Sequence, residues 1–253
     1  MISIKNNYEI KLMRYGGRIG ALVIQELVDY LKPGISTFEI NKMTEELLAK
    51  YGVEPAFKNY SPFGRKKYPA AICVSINEEI VHGVPSEKKI KNGDLVSLDL
   101  GIKYENYYTD LATTVGVGKI NESDKLLLKA TKEALDKVIQ FLKAGVRLGD
   151  VGFLIQKTIE GYNFSVVRDC VGHGIGKEIH EDPSVPNYGQ PGKGLILKEG
   201  MTIAVEPMAC QGSSKIRLKT DGWTIVTADN KKSAHFEHTL AIYKDGCEVL
   251  TSL

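Results

Sequence analysis

The sequence predicts an α+β fold: one sheet built from two similar halves, with helices on one face. Three observations carry that prediction. The apolar pattern passes from helical to strand-like and then repeats the order. Three stretches of the first half recur in the second in the same sequence. Four carboxylates stand in strand positions that patterning normally fills with apolar residues.

The first helix is expected from about Glu9 to Tyr30, with Leu12, Ile19, Val23, Leu27 and Leu31 on one stripe. Lys32-Pro33-Gly34 breaks it. Ser36 or Thr37 then caps a second helix that runs to about Tyr51. Strand-like runs follow at 70–76, 94–102 and 109–117. A third helix spans Ser123 to Lys143, with Asp124 early in it and Gly145 beyond its end.

The repeats follow this order. LKPGISTFEI (31–40) resembles LKAGVRLGDV (142–151) at an offset of 111. KNGDLVSLD (91–99) resembles KEGMTIAVE (198–206) at an offset of 107, which lays Asp99 on Glu206. VHGV (81–84) echoes GHGI (172–175). We therefore expect a single domain, 1–253, with halves of roughly 1–120 and 121–253, meeting at a shared cleft.

Composition excludes several classes. The chain is 43% hydrophobic and 25% charged, as globular proteins are. A formal charge of +2 advertises no specific nucleic-acid binding. No apolar run reaches the roughly 18 residues of a membrane span, and the N-terminus has no signal-peptide core. A cytoplasmic protein is expected, its cysteines at 73, 170, 210 and 247 free thiols.

The carboxylates point to chemistry. In DLVSLDLG, Asp99 sits mid-strand, and a buried unpaired carboxylate needs a cation or a shifted pKa. With a hairpin loop at 103–106, Asp99 falls directly across from Asp110, their Cβ atoms about 4.5–5.5 Å apart. Glu206 ends the apolar strand MTIAV, and Glu237 sits inside SAHFEHTLAIY. Two divalent cations about 3.5–4 Å apart would neutralise such a cluster.

An imidazole commonly completes a carboxylate site for transition metals. His173, among the glycines of VGHGIGKEIHED (171–182), is the ligand candidate. His180, seven residues on, is expected beside the metals, donating to a substrate oxygen. His82, in NEEIVHGVP, is a third candidate. His235 and His238 are expected on the opposite face from Glu237, in structural roles.

NEEIVHGVP, GDLVSLDLG, YTD, GHGIGKEIHEDP, GMTIAVEPM and FEHT occur in this order and together resemble the type I methionine aminopeptidases across nearly the whole chain. The resemblance implies the pita-bread fold, two pseudo-symmetric halves around a dinuclear metal centre. It implies Asp99, Asp110, His173, Glu206 and Glu237 as metal ligands, with Asp110 and Glu237 bridging. It implies His82 and His180 as catalytic or substrate-contacting, with Glu206 as the base. Tyr68, Cys73 and Trp223 match a small apolar methionine pocket, and Asn77, Glu79 and Ser233 a monovalent-cation site. The implied reaction is hydrolytic removal of N-terminal methionine from peptides and nascent chains, with a small second residue preferred, by a metal-bridged hydroxide. The same shell accepts Mn, Fe, Co or Zn. A monomer in transient contact with the ribosome is the family expectation, Arg65, Lys66 and Lys67 being one basic stretch for such contact.

The sequence departs from the family pattern at SPFGRKK (61–67), which is longer than the matching loop, at Thr109 in place of glycine, and at Ile179 in place of an aromatic. Only 26 residues separate His180 from Glu206, too few for the type II insertion, and no N-terminal zinc-finger extension is expected. Two rivals stand: a dinuclear hydrolase cutting before proline, and a non-catalytic peptide-binding module of the same fold.

Overall fold

The computed structural model describes residues 2–64 and 66–253, and of Phe63 the backbone alone. Arg65 thus lies outside the described residues. Helices α1 (Asn7–Tyr30) and α2 (Thr37–Tyr51) come first. Strands β1 (Glu54–Pro55), β2 (Cys73–Ile76), β3 (Glu79–Val81), β4 (Leu95–Tyr104) and β5 (Tyr107–Gly116) follow. Helices α3 (Glu122–Phe141) and α4 (Leu148–Glu160) open the second part. Then come β6 (Ser165–Val166), β7 (Gly172–Gly174), β8 (Glu181–Val185), β9 (Thr202–Val205) and β10 (Met208–Cys210). The chain ends with β11 (Ile216–Leu218), β12 (Ile225–Thr227), β13 (Ser233–His235), β14 (Glu237–Ile242) and β15 (Cys247–Val249).

The helix ends follow from local chemistry. Asn6 with Glu9, and Ser36 with Glu39, form reciprocal capping boxes at α1 and α2. Asn121 caps α3 through the Asp124 amide. Both α1 and α3 end on an extended leucine, Leu31 and Leu142. The repeated words also share backbone bonds. Gly34 N–H donates to Ile90 O and Ile90 N–H to Ile35 O. Gly145 and Leu197, standing 111 and 107 residues further on, make the same pair with each other and Val146.

The main sheet runs β1-β4-β5-β14-β9-β7-β8, with β2 beside β4 and β15 beside β14, all antiparallel. Helices α1 and α2 bury Val23, Leu27, Ile40 and Leu48 against Val74, Val96, Leu98 and Leu100. Helices α3 and α4 bury Leu127, Val138, Val151 and Ile155 against Ile203, Val205, Leu240 and Ile242. Both cores bury apolar faces at about 25 cal/mol per Å², which holds the helices to one side of the sheet. No helix among the described residues is long and apolar enough to cross a membrane.

The β4–β5 register corrects one expectation. Tyr104 pairs with Tyr107 around Glu105-Asn106, both left-handed at φ 48° and 65°. A two-residue turn with both central residues at positive φ matches the twist of the strands it joins. The predicted four-residue loop was wrong because glutamate rarely takes that conformation. Asp99 therefore faces Ala112, and Asp110 faces Gly101. The two aspartates are diagonal neighbours, not directly opposed.

Candidate metal centre

The register assembles the site. Paired residues in neighbouring strands share a face of the sheet. One row across it reads Cys73, Asp99, Ala112 and Glu237. Two residues along, on the same face, Gly101 pairs with Asp110 and Ala204 with both Thr239 and His173. The Asp110 amide donates to Thr239 Oγ1 at 2.8 Å, and that hydroxyl donates back to Asp110 O at 2.8 Å, joining the two parts of this second row. Glu206 follows β9 by one residue, so the Val205–His238 pairing carried one step on puts it across from Glu237. The positions between the ligand candidates are Gly, Ala or Thr, which leaves room above the sheet.

Side-chain geometry agrees. One ligand atom each from Asp110, His173 and Glu237 lies within 4.8 Å of the others. Glu206, His235 and Glu237 form a second such group, so Glu237 belongs to both. Asp99 is in neither group, but its carboxyl is close enough to those of Asp110 and Glu206 for their charges to act on one another. His173 is held by its other ring nitrogen: Nδ1 lies 2.9 Å from Gly174 O. A carbonyl only accepts, so Nδ1 carries the proton and the Nε2 lone pair is free to ligate. Nε2 points at Glu206, 3.8 Å from Oε1. The glycine beside it is required: a Cβ on Gly174 would lie 2.1 Å from Asp182 O.

His235 is a correction. It was expected to face away from Glu237, yet its Nε2 lies 3.5 Å from Glu206 and 3.7 Å from Glu237. Two residues apart in extended chain means the same face, and Phe236 separates β13 from β14. His238 does turn away: it is one residue from Glu237, and its Nδ1 meets Thr251 Oγ1 at 2.9 Å.

The electrostatics show what the cluster lacks. Asp99 Oδ1, Glu237 Oε1 and both ring nitrogens of His235 are buried without a hydrogen-bond partner among the described residues. Burial, helped by the Glu206 charge and opposed by His235, lifts the Asp99 carboxyl to about 7. Burial, then neighbouring carboxylates, push Asp110 and Glu237 well above the usual range. Burial drives His173 down to about 3 and His180 to about 4, so both rings are neutral at pH 7. Acid oxygens with no donors beside neutral imidazoles are a donor set that fits divalent cations.

Above the cluster lies a cavity of about 490 Å³. Phe57, Tyr68, Cys73 and Trp223 wall it, Tyr68 and Trp223 meeting edge to face at 5.2 Å. Tyr68 Oη donates to Gly83 O at 2.8 Å, tying the wall to the turn after His82. His82 lines the cavity from a left-handed backbone, φ 57°, a strained state that clusters at functional sites. His180 lines it too, its ring edge-on to His173 at 4.4 Å. Tyr60, whose alignment the longer 61–67 segment obscures, places Oη 2.6 Å from His180 Nδ1. It lies in a loop, where no periodicity marks a residue.

Asn77, Glu79 and Ser233 also converge: Ser233 Oγ lies 2.9 Å from Asn77 O and 3.2 Å from Glu79 O. The Glu79 carboxylate is engaged elsewhere, by Lys88 at 3.0 Å and Lys219 at 2.7 Å. Of the departures, Thr109 pairs with Ile102 one residue out of the ligand rows, towards α1. Ile179 is buried in one apolar cluster with the cavity-lining Phe57, Tyr68 and Trp223.

Buried acids and imidazoles sunk in the face of an antiparallel sheet define a metal-dependent hydrolase. The profile of metallopeptidase family M24 matches residues 11–244, and the chain belongs to that family. A Bacillus subtilis protein named methionine aminopeptidase 1 is 47% identical, covering 99% of both chains. The crystal structure of a methionine aminopeptidase from Thermotoga maritima superposes with a TM-score of 0.96 at 45% identity, over the whole of both chains. A prolidase from Pyrococcus furiosus reaches 0.79 at 26% identity, covering 99% of this chain and 65% of that one. The fold is the pita-bread fold of these proteins.

Proposed function

We propose that this chain is a methionine aminopeptidase: it removes N-terminal methionine by hydrolysis at a dinuclear metal site. The observation that carries the reading is the two register rows, which gather four acids and His173 beneath an apolar cavity. Relatives so named match this chain end to end at 47% and 45% identity. Asp99, Asp110, His173, Glu206 and Glu237 would hold two divalent ions. Co, Mn, Fe and Zn all suit this shell. Bound there, the ions supply Lewis acidity and a lowered pKa for water.

The protein's own groups do the rest. Glu206 takes the proton of the attacking water and returns it to the departing amine. His180 donates to the methionyl carbonyl oxygen as charge develops there. His82 contacts the scissile amide. Tyr68, Cys73 and Trp223 enclose the thioether chain, since sulfur packs well against aromatic edges. With its ions held at the cavity floor, the cluster would accept a free, neutral α-amine as a further donor, which restricts cleavage to a terminus. A small second residue would be preferred, for steric reasons. Asn77, Glu79 and Ser233 would hold a monovalent cation, largely through backbone carbonyls. We also read residues 1–253 as one catalytic unit of two related halves. It would act as a cytoplasmic monomer on nascent chains at the ribosome. The exposed Lys66 and Lys67 extend the segment whose Pro62 lines the cavity mouth.

Release of methionine from Met-Ala-Ser by chelator-stripped protein, with and without divalent ions, tests this. Release that depends on added metal is expected. Folded protein that stays inactive with every metal would overturn the reading. The prolidase likeness favours one second reading, cleavage before proline, and faster turnover of Xaa-Pro peptides than of Met-Ala-Ser would establish it.

A further inference from the structure

His173 and His180 are edge-to-face neighbours in one cavity, yet the proposed chemistry asks opposite things of them. His173 must present a lone pair, and Gly174 O secures that by accepting from Nδ1. His180 must present a donor, and its Nδ1 faces a hydroxyl, which can donate or accept. The geometry points to Tyr60 as a positioning residue: its phenol donates to His180 Nδ1, fixing the Nε2–H tautomer and aiming that N–H into the cavity. The inference rests on the aminopeptidase reading for its use, though not for its geometry. A phenol oxygen shares its lone pairs with the ring and accepts weakly, whereas a bare imidazole nitrogen accepts strongly. The 2.6 Å contact is short for such a pair, as expected of phenol O–H to imidazole N. With both rings bare at Nε2, His180 would compete with His173 as a ligand.

The backbone holds Tyr60 in place. Its N–H donates to Phe57 O at 2.9 Å, and its carbonyl accepts from Tyr68 N–H at 2.9 Å. The Asn59 N–H donates to Tyr68 O at 2.9 Å. The ring also packs on His180, centroids 5.2 Å apart. Tyr60 thus ties the loop before the long 61–67 segment to the second histidine of the site.

The test is the tautomer, read by long-range ¹H–¹⁵N correlation spectra of metal-stripped, labelled protein. His180 signals are assigned by their loss in His180→Asn. The expected spectrum shows a bare Nδ1 and a protonated Nε2, and Tyr60→Phe turns it into a mixture of tautomers. Kinetically, Tyr60→Phe keeps the ring and loses one hydrogen bond, so kcat on Met-Ala-Ser falls about five- to tenfold with KM unchanged. Tyr60→Leu, which also removes the ring, raises KM as well. A protonated Nδ1 in the unsubstituted protein, or a Tyr60→Phe spectrum that keeps the original tautomer, overturns the inference. Absence of turnover in the unsubstituted protein would instead count against the aminopeptidase reading, and the spectra would still decide the tautomer.

Discussion

Stripping divalent ions from this protein should leave a fold that weakens as pH rises, and Asp99 sets a measurable part of the slope. Its carboxyl ordinarily titrates at 3.8 and is lifted to about 7 in the fold, first by burial and then by the Glu206 charge, against the pull of His235. The folded state holds that proton where the unfolded state has released it. Its contribution is therefore complete below 3.8 and disappears as pH climbs through about 7. Each pH unit in the window is worth about 1.4 kcal/mol, so from pH 5 to 7 the loss is roughly 2–3 kcal/mol. His173, pushed down to about 3, and His180 and His238, to about 4, slope the other way below pH 6.5. The comparison is therefore with Asp99→Asn, which keeps all three. Urea unfolding of both stripped proteins at pH 5 and 7 is the assay. Relative to Asp99→Asn, the unsubstituted protein should lose roughly 2–3 kcal/mol over that span, or about 5–10 °C in Tm for a chain of this size. Added Mn or Co at a hundred times its Kd should restore about 2.7 kcal/mol to the unsubstituted protein at pH 7. Parallel pH curves for the two proteins would refute the buried-acid account of the cluster.

Other perturbations follow from single contacts. Gly174→Ala would drive a Cβ against Asp182 O at 2.1 Å; we expect a loss of about 2–4 kcal/mol by urea titration and weaker divalent-ion binding by calorimetry. Lys5, with a side chain 2% exposed, pairs with Glu181 at 2.6 Å beside the His180 turn. Lys5→Met should cost about 1–3 kcal/mol by removing the counter-charge from a carboxylate left with only the Lys177 and Glu178 amides, and Lys5→Met with Glu181→Gln should recover part of it. Thr239→Val removes the reciprocal bonds to the Asp110 backbone and should cost about 1–3 kcal/mol, with lowered metal affinity.

Three of the four helices among the described residues were legible because their signals are local; α4 was not, because Arg147 offers no side-chain cap to announce it. Lys32-Pro33-Gly34 ends α1, Ser36 announces α2, and Asp124 and Gly145 bracket α3; the observed ends of these three fall within about two residues of those predicted. Asp99, Glu206 and Glu237 were legible as violations of a strand pattern, and His173 through its glycines. The β4–β5 register was not legible, because it depends on Glu105 taking a left-handed turn that its residue type disfavours. His235 faces the cluster by the strand period itself: it stands two residues from Glu237, so only His238, one residue away, belongs on the opposite face. The contact of Tyr60 with His180 was not legible: the two lie 120 residues apart, on a loop and a turn with no shared pattern.

The same register explains why the fold is needed to make the site. Asp110 stands on β5 and His173 on β7, with β14 and β9 between them. Neighbouring strands lie about 4.8 Å apart, so three spacings on a flat sheet would separate their backbones by roughly 14 Å. Their ligand atoms nevertheless lie within 4.8 Å. The side chains point across rather than up only if the sheet curls towards the site, and small residues in between, Ala204 and Thr239, let it do so. On the other side of Asp110, a Cβ on Gly101 would meet Ala56 at 2.7 Å, so that position also stays bare for the cavity wall to close in. Curvature is what gathers the acids into one cluster. Neither half supplies the set alone: Asp99 and Asp110 come from the first hairpin, and His173, Glu206 and Glu237 from the second part of the chain. The β5–β14 seam, which pairs Ala112 with Glu237, is where the two become one centre.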